Sequence, residues 1–444
     1  MTAQVRSTAW HSWGGNLTAR PSVTVRPDDS DQVLHVLEEA VAAGKSVRPS
    51  GSGHSWSPLV PTDGVRLDTS ALTGLASVDE DRQQVTVFAG TTVHQLNLIL
   101  EEYGLALANL SDCAHMTVAG AIATGTHGTG LGQPSLGDQV IGISLATPSG
   151  DVIKCSETHR PDLLRAARVH LGVLGVVLTV TLRCVSAFRL HCAEFREPVA
   201  GLVDSLQERM SGADHFEFSW VPGTSVAHTR IMSRLHRLSA TYTRPASPIS
   251  RALRRTDDAV LRTSLSAGLG RVGALMPRAV GGLNKIGSMA VSSRRYTDIS
   301  YRAFTASRPV HYVASEHALP LEATAPAFRE LKALVERDGY ELTFPMHVRC
   351  SPPEQGYLSP AAGRYTGWIN LRQYGKRPHK TFFRAAEEIF VAHGGRPHWG
   401  TLHTRTAEDL ASSYPHWDEF LALRAELDPD GVLLGEHTRE VLGV

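Results

Sequence analysis

Residues 116–138 read MTVAGAIATGTHGTGLGQPSLGD, and this run limits the fold more than any other. It sets Gly120, Gly125, Gly128, Gly130 and Gly132 among the hydroxyls of Thr117, Thr124, Thr126 and Thr129. Residues this small let a backbone lie flat against a ring system or a diphosphate with no side chain in the way. A flexible loop is the plain alternative. Alternating glycine and threonine nevertheless supplies more hydrogen-bond donors than a linker uses, and the apolar VAGAIA within the run is foreign to a glycine–serine linker. The run points to a bound ligand.

A second glycine-bearing stretch lies upstream. VRPSGSGHSWSPLVPTDG, residues 47–64, puts His54 directly after two closely spaced glycines at the end of a short apolar run. Successive small residues free backbone N–H groups to converge on an anion. The spacing is neither the dinucleotide fingerprint G-x-G-x-x-G nor a Walker loop, since no Lys-Ser/Thr follows. By itself the stretch reads as a turn more readily than as a phosphate cradle. LGVLGVVLTVTLR, with Gly172 and Gly175, reads as a buried strand behind a glycine turn. In GRPHWGTLHT, His398 beside Trp399 could set an imidazole on a ring, although a His-Trp pair is usually structural. His393, His398 and His403 recur every five residues, which shares no helix face, so no metal site is expected.

A chain of 444 residues is long enough for two or three units. Its 44 Lys and Arg balance 44 Asp and Glu, so no global basic field would gather a phosphate backbone and nucleic acid is not an expected partner. Cys113, Cys155, Cys184, Cys192 and Cys350 are odd in number and lack C-x-x-C spacing, which argues against a disulfide framework or a zinc cluster and fits a reducing compartment. MTAQVRSTAWHSWGG carries no apolar segment of the kind a signal peptide needs. The longest apolar stretch, LGVLGVVLTVTL, is too short to span a bilayer. A soluble cytoplasmic protein without membrane contact is the expectation.

Along the chain, DDSDQVLHVLEEAVAAGKSV predicts a capped helix with Val33, Leu34, Leu37, Ala40 and Val41 on one face. TVHQLNLILEEYG and RPDLLRAARVHLG predict helices, and GDQVIGISLATPSG with DVIKC predicts a hairpin. Mixed short strands and helices to about residue 186 predict an α+β domain with its own core. Beyond it, strands such as HFEFSWV and GWINLRQY are separated by longer segments, and residues 244–295 predict helices or a mobile lid. TAEDLASSYPHWDEFLALRAELDPDG predicts a closing helix, capped by Thr406 with Asp409.

Taken in order, these motifs resemble the aldonolactone oxidase and alditol oxidase family, within the vanillyl-alcohol-oxidase class of flavoproteins. WHSWGGN, GSGHSWSPLVPTDGVRLD, AGAIATGTHGTG, HFEFSW, FPMHVR, RPHWGTLHT and YPHWDEFLALRAELDPDGVL carry the resemblance nearly end to end. It implies an α+β fold: a two-part FAD-binding domain, residues 1–186 with the returning segment 406–444, under a cap of residues 187–405 whose β-sheet roofs the flavin. It also implies FAD, with His54 as the candidate residue for covalent attachment to the 8α-methyl. Ser50, Gly51, Ser52, Gly53, Ser55 and Trp56 would hold the pyrophosphate region. Thr117, Gly120, Thr124, Gly125, Thr126, Gly128, Thr129, Gly130 and Val176 would complete the cofactor contacts, and His398 matches a histidine that touches the flavin.

The family's sugar oxidases carry Glu-x-Arg on the strand before the active-site Arg, and His-Trp-x-Lys near the C-terminus. Here His347 stands where the Glu is expected, Arg349 is kept, and Thr401 replaces the Lys. Asn370 and Arg372 occupy positions where the alditol oxidases have His and Thr. Two readings follow. The pocket has drifted and redox function is impaired, or His347 replaces the acid as general base, an imidazole being suited to take an alcohol proton near neutrality. In the second, Arg349 and Arg372 would favour an anionic substrate, with Asn370 and Thr401 setting specificity. The implied reaction is oxidation of a CH–OH group on a polyhydroxylated small molecule by hydride transfer to flavin N5, with oxygen or another acceptor taking the electrons. A tailoring oxidase acting on an aminosugar or cyclitol, and a non-catalytic flavin-binding homologue, are the alternatives.

Overall fold

The structure, a computed structural model, describes residues 4–6, 9–235, 293–306, 310–342, 344–375 and 377–444. Residues 244–292, most of the stretch expected to form helices or a lid, lie outside the described residues.

Asp29 starts the first helix, Ser30–Ala42, by accepting a 2.8 Å hydrogen bond from the N–H of Gln32. Its inward face is Val33, Val36, Leu37 and Ala40. Val41, expected inside, is 40% exposed. Val36 takes its place, because the 3.6-residue period starting from Val33 reaches 36, 37 and 40. Beside this helix a four-stranded sheet orders Gln4–Arg6, Val23–Val25, Val65–Asp68 and Val47–Ser50, with the last three mutually parallel where they pair.

The expected hairpin forms: Val140–Ala146 pairs antiparallel with Val152–Ser156. Val176–Arg183 lies in the middle of that five-stranded sheet, between Val140–Ala146 and Gln84–Phe88. One core fills the space around the two sheets and takes in Phe420, Leu434 and Val441 from the C-terminal tail. The expected closing helix is two helices rather than one. Thr406 and Asp409 form the expected capping box, yet the helix ends at Leu410, and the next, Trp417–Leu427, begins only after Pro415. A proline lacks the N–H and the room to continue a helix across it.

The cap is an eight-stranded sheet in the order Arg294–Ile299, Arg189–Pro198, Val226–Arg234, His215–Trp220, Met346–Ser351, Thr366–Tyr374, Tyr312–Pro320 and Arg396–Pro397. Alternation along its central strands decides what faces where. Met346, Val348, Cys350, Ile369 and Leu371 join a second core with Phe328 and Phe390 from the helices Thr324–Asp338 and Lys380–Ala392. The opposite face therefore carries His347, Arg349, Trp368, Asn370, Arg372 and Glu316. No helix among the described residues is long and apolar enough to cross a membrane.

Candidate active site

The two glycine-bearing stretches meet. Thr117 caps the short helix Val118–Ala123 by accepting from the N–H of Gly120 at 3.2 Å, and a Cβ at Gly51 would lie 2.1 Å from the same hydroxyl oxygen. Contact is possible only because position 51 has no side chain. Gly53 has φ +67°, a region open to glycine, and its carbonyl accepts from the N–H of Trp13 at 2.8 Å. Trp13 then lies beside the His54 ring, centroids 5.1 Å apart.

Other bonds tie the first loop to the remaining walls. The Trp56 indole N–H donates to the Tyr312 carbonyl at 2.5 Å and its ring stacks on Tyr312, while its backbone N–H donates to Gly400. Behind the loop, the buried Arg48 guanidinium donates to the carbonyls of Leu59, Leu171, Gly172 and Leu433. It pins the first loop, the Gly172 turn and the C-terminal tail together.

These walls enclose a cleft with about 1290 Å³ of empty space, its open mouth included. Ser50, Gly51, Ser52, Gly53, His54, Ser55, Trp56, Thr117, Gly120, Thr124 and Thr126 line it on one side, and Arg349, Asn370, Arg372, His398 and Thr401 on the other. Six residues expected at the site lie outside the lining. Thr129 and Gly130 bind the cap strands instead: the N–H of Cys350 donates to the Thr129 hydroxyl, and the N–H of Gly130 to the Cys350 carbonyl. Gly128 packs against Asn109, Gly125 turns the chain with φ +76°, and Val176 is buried in the first core. His347, half-buried, shares the face of Arg349 without reaching the cleft wall.

Two carboxylates that the sequence reading did not single out line the cleft, Asp112 and Glu316, and the more buried of them is Glu316. Its Oε1 lies 2.7 Å from Arg349 Nη2 and 3.6 Å from His127 Nε2. Burial alone would raise the Glu316 pKa; the Arg349 guanidinium and His127 overturn that and hold it well below the ordinary carboxylate range. His127 stacks on Trp368 with centroids 3.7 Å apart, and His398 is held by the N–H of Gly400, which donates to its Nδ1 at 3.1 Å. Burial pushes His398 down to about 4, so it is neutral near pH 7. The donor atoms of His127, Glu316 and His398 lie within 4.8 Å of one another, but the Arg349 guanidinium already supplies the charge a cation would bring.

Thr401, expected to set specificity, lines the cleft beside His398. Its hydroxyl donates to the His398 carbonyl at 3.0 Å and accepts from the N–H of Glu316 at 3.0 Å, so it clamps two functional residues through their backbones. Nearer the first loop, Arg372 lies over the Tyr312 ring, donates to Asn370 Oδ1 at 2.8 Å and approaches Asp112 Oδ2 at 3.6 Å.

Residues 180–441 match the D-arabinono-1,4-lactone oxidase family, and residues 21–156 match an FAD-binding domain. The chain belongs to the D-arabinono-1,4-lactone oxidase family. It is 36% identical to the L-gulono-1,4-lactone dehydrogenase of Mycobacterium tuberculosis, over 98% of this chain and all of that protein. It is 32% identical to the L-gulonolactone oxidase of Mus musculus, over 97% and 98% of the two chains. Among solved structures, a solvent-stable cholesterol oxidase superposes with a TM-score of 0.82 at 19% identity, covering 100% of this chain and 98% of that one. That likeness shows the shared fold, the FAD-binding architecture with a sheet-rich cap. The protein is accordingly an FAD-dependent oxidoreductase acting on CH–OH donors.

The residues present fit FAD. A Cβ at Gly51 or Gly120 would strike Thr117, so the two loops close together only without side chains there, and both glycines present bare backbone to the cleft. At one wall the buried His170 receives the N–H of Gly172 on Nδ1 at 3.0 Å and makes no hydrogen bond at Nε2. A cofactor rich in acceptor oxygens matches that donor. Sequence reasoning missed His170 because HLG carries no motif of its own; only the shared His-x-Gly spacing with His398-Trp399-Gly400 hints at it.

Proposed function

We propose that the protein oxidises a CH–OH group of a neutral aldono-1,4-lactone. The observation that carries this reading is the pairing of both guanidiniums on the cap side of the cleft with carboxylates, Arg349 with Glu316 and Arg372 with Asp112. Two uncompensated arginines would favour a carboxylate substrate, the preference expected from the sequence; two compensated ones favour hydroxyl and carbonyl oxygens. The relatives' names, lactone dehydrogenase and lactone oxidase, point the same way. A polar set fixed by its own ion pairs and hydrogen bonds also speaks against a degenerate pocket.

Bound in the cleft, oxidised FAD supplies the hydride acceptor. The chain's own residues do the rest. Arg349, fixed by Glu316, orients the substrate oxygens; His398 presents its Nε2–H to the cleft, because Nδ1 is occupied as an acceptor. Trp13 and Trp56 hold the His54 loop in place, where the imidazole is the proposed covalent anchor for the cofactor. The electrons pass on to oxygen or to another acceptor.

Anaerobic mixing tests the reading. The purified yellow protein should bleach with L-gulono-1,4-lactone and far more slowly with open-chain L-gulonate. The reverse preference, or a colourless protein that takes up no FAD, overturns it. Flavin fluorescence on a denaturing gel should disappear in His54→Ala if the anchor is covalent.

A further inference from the structure

The two imidazoles beside Glu316 are fixed as opposite tautomers. His398 Nδ1 accepts the N–H of Gly400, so its proton sits on Nε2. His127 Nδ1 lies 2.9 Å from the carbonyl oxygen of Gly128, which can only accept, so its proton sits on Nδ1 and its lone pair on Nε2. That Nε2 is buried, makes no hydrogen bond and lies 3.6 Å from Glu316 Oε1. His127 lines the cleft, and Trp368 stacked on its ring keeps it from turning.

We propose that His127 is the proton acceptor of the oxidation, its Nε2 taking the hydroxyl proton of the substrate. The proposal rests on the lactone-oxidation reading and assigns a residue within it. The O–H bond breaks toward His127 as the C–H bond gives up hydrogen with its electron pair to the oxidised flavin, and the carbon–oxygen bond becomes a carbonyl. The imidazolium formed lies beside the Glu316 carboxylate, which stabilises it, and the proton leaves to solvent through the open mouth of the cleft.

The groups facing the ring divide the work. Burial and Arg349, from the strand Met346–Ser351, lower the His127 pKa and keep the imidazole neutral and ready. Glu316, from Tyr312–Pro320, raises it and receives the product charge. His398, from the C-terminal segment, faces it as a neutral donor, and Trp368 brings no charge. Glu316 itself is a poor base because Arg349 holds it ionised far below neutrality. An aligned donor, His398, and an aligned acceptor, His127, against one carboxylate suit a substrate hydroxyl that must both accept a hydrogen bond and lose a proton.

The test uses the FAD-loaded protein with L-gulono-1,4-lactone. His127→Gln should keep its flavin and lose about 100-fold or more in kcat/KM, and the acid limb of the pH profile should vanish. Added imidazole should restore part of the rate. His127→Asn serves as a second variant should Gln disturb the stack on Trp368. Glu316→Gln should shift the acid limb to lower pH, since the imidazolium loses its counter-charge. Full activity in His127→Gln, or a persisting acid limb, overturns the proposal. A second arm needs no turnover: NMR of isotope-labelled histidines should assign the Nδ1–H tautomer to the signal missing in His127→Gln. An Nε2–H tautomer there overturns the proposal whatever the substrate proves to be, whereas failure of every lactone to bleach the wild type overturns only the reading beneath it.

Discussion

Glu316 and Arg349 are joined by a 2.7 Å ion pair that reaches over an intervening strand. Met346–Ser351 and Tyr312–Pro320 are not neighbours; Thr366–Tyr374 lies between them, and the pair crosses it at Trp368 and Asn370. The register sets Ser219, His347, Asn370 and Glu316 in one row across four strands, with Arg349 one row along. A buried acid thus reaches the cleft from the far side of Asn370, two strands from the position where the family's sugar oxidases carry theirs.

Breaking this pair should cost more than removing it. Glu316→Ala leaves a buried guanidinium uncompensated and should lower stability by about 3–5 kcal/mol, with activity lost. The double variant Glu316→Leu/Arg349→Met should regain most of that stability and remain inactive. Denaturant unfolding of the three proteins checks it. A single variant as stable as the parent would show that the pair is not strained by burial.

The meeting of the two loops predicts a steric effect on cofactor binding. Gly51→Ala would force a Cβ to within 2.1 Å of Thr117 Oγ1, and FAD affinity should fall about tenfold or more. Adding Thr117→Ser leaves the hydroxyl and should not relieve it; Thr117→Ala should relieve it in part, less the loss of the helix cap. Flavin fluorescence quenching on apoprotein of the His54→Ala background gives the affinities directly. Equal affinities in Gly51→Ala and its parent would remove the loop contact from the account.

Much of this architecture was legible in the sequence. The first loop, the capped helix, the 140–156 hairpin and the cap strands are local patterns, and local patterns survive translation into structure. Glu316 and His127 were not legible as a pair. Glu316 sits in the unremarked strand YVASEHALP and His127 inside a glycine run where only the small residues drew notice. Their 3.6 Å approach depends on strand order and register, which no single stretch of sequence encodes. His347 stands in the motif position and on the face of Arg349, yet the lining of the cleft does not include it, and no single stretch of sequence encodes where that wall runs. The closing helix failed at Pro415, a signal that was present and outweighed by the apolar period on either side.

Specificity should respond to the Asp112 charge. Asp112 lies 3.6 Å from Arg372, so Asp112→Asn leaves that guanidinium with less compensation while Asn370 still receives its Nε. The ratio of kcat/KM for L-gulonate to that for L-gulono-1,4-lactone should rise about threefold to tenfold, by the same electrostatic logic that disfavours the anion in the parent. Steady-state kinetics on both substrates decides it, and an unchanged ratio would detach Asp112 from substrate choice.

Stability should fall as the solution is acidified from neutrality, and histidines rather than carboxylates should begin the fall. Burial pushes His170, His215 and His398 down to about 4 and His403 to about 3, from an ordinary value of 6.5. Above 6.5 these rings are neutral folded or unfolded and do not affect the balance. Below it the unfolded chain takes up protons that the native interior refuses, so stability is lost progressively toward the folded values, each ring contributing about 1.4 kcal/mol per pH unit. Glu387 acts lower on the scale. Burial opposes its ionisation, but His317 and Thr404 hold it down to about 2, so its stabilising share is present above 4.5 and is lost as pH falls from there. Urea midpoints should therefore drop between about pH 6.5 and pH 5, where the four rings outweigh Glu354, whose burial beside Asp138 lifts its carboxyl to about 8 and which gains stability over the same window. His215→Phe, which leaves the cleft untouched, should flatten that segment by one proton's worth of slope; a midpoint constant across it would mean the buried rings accept protons in the folded state.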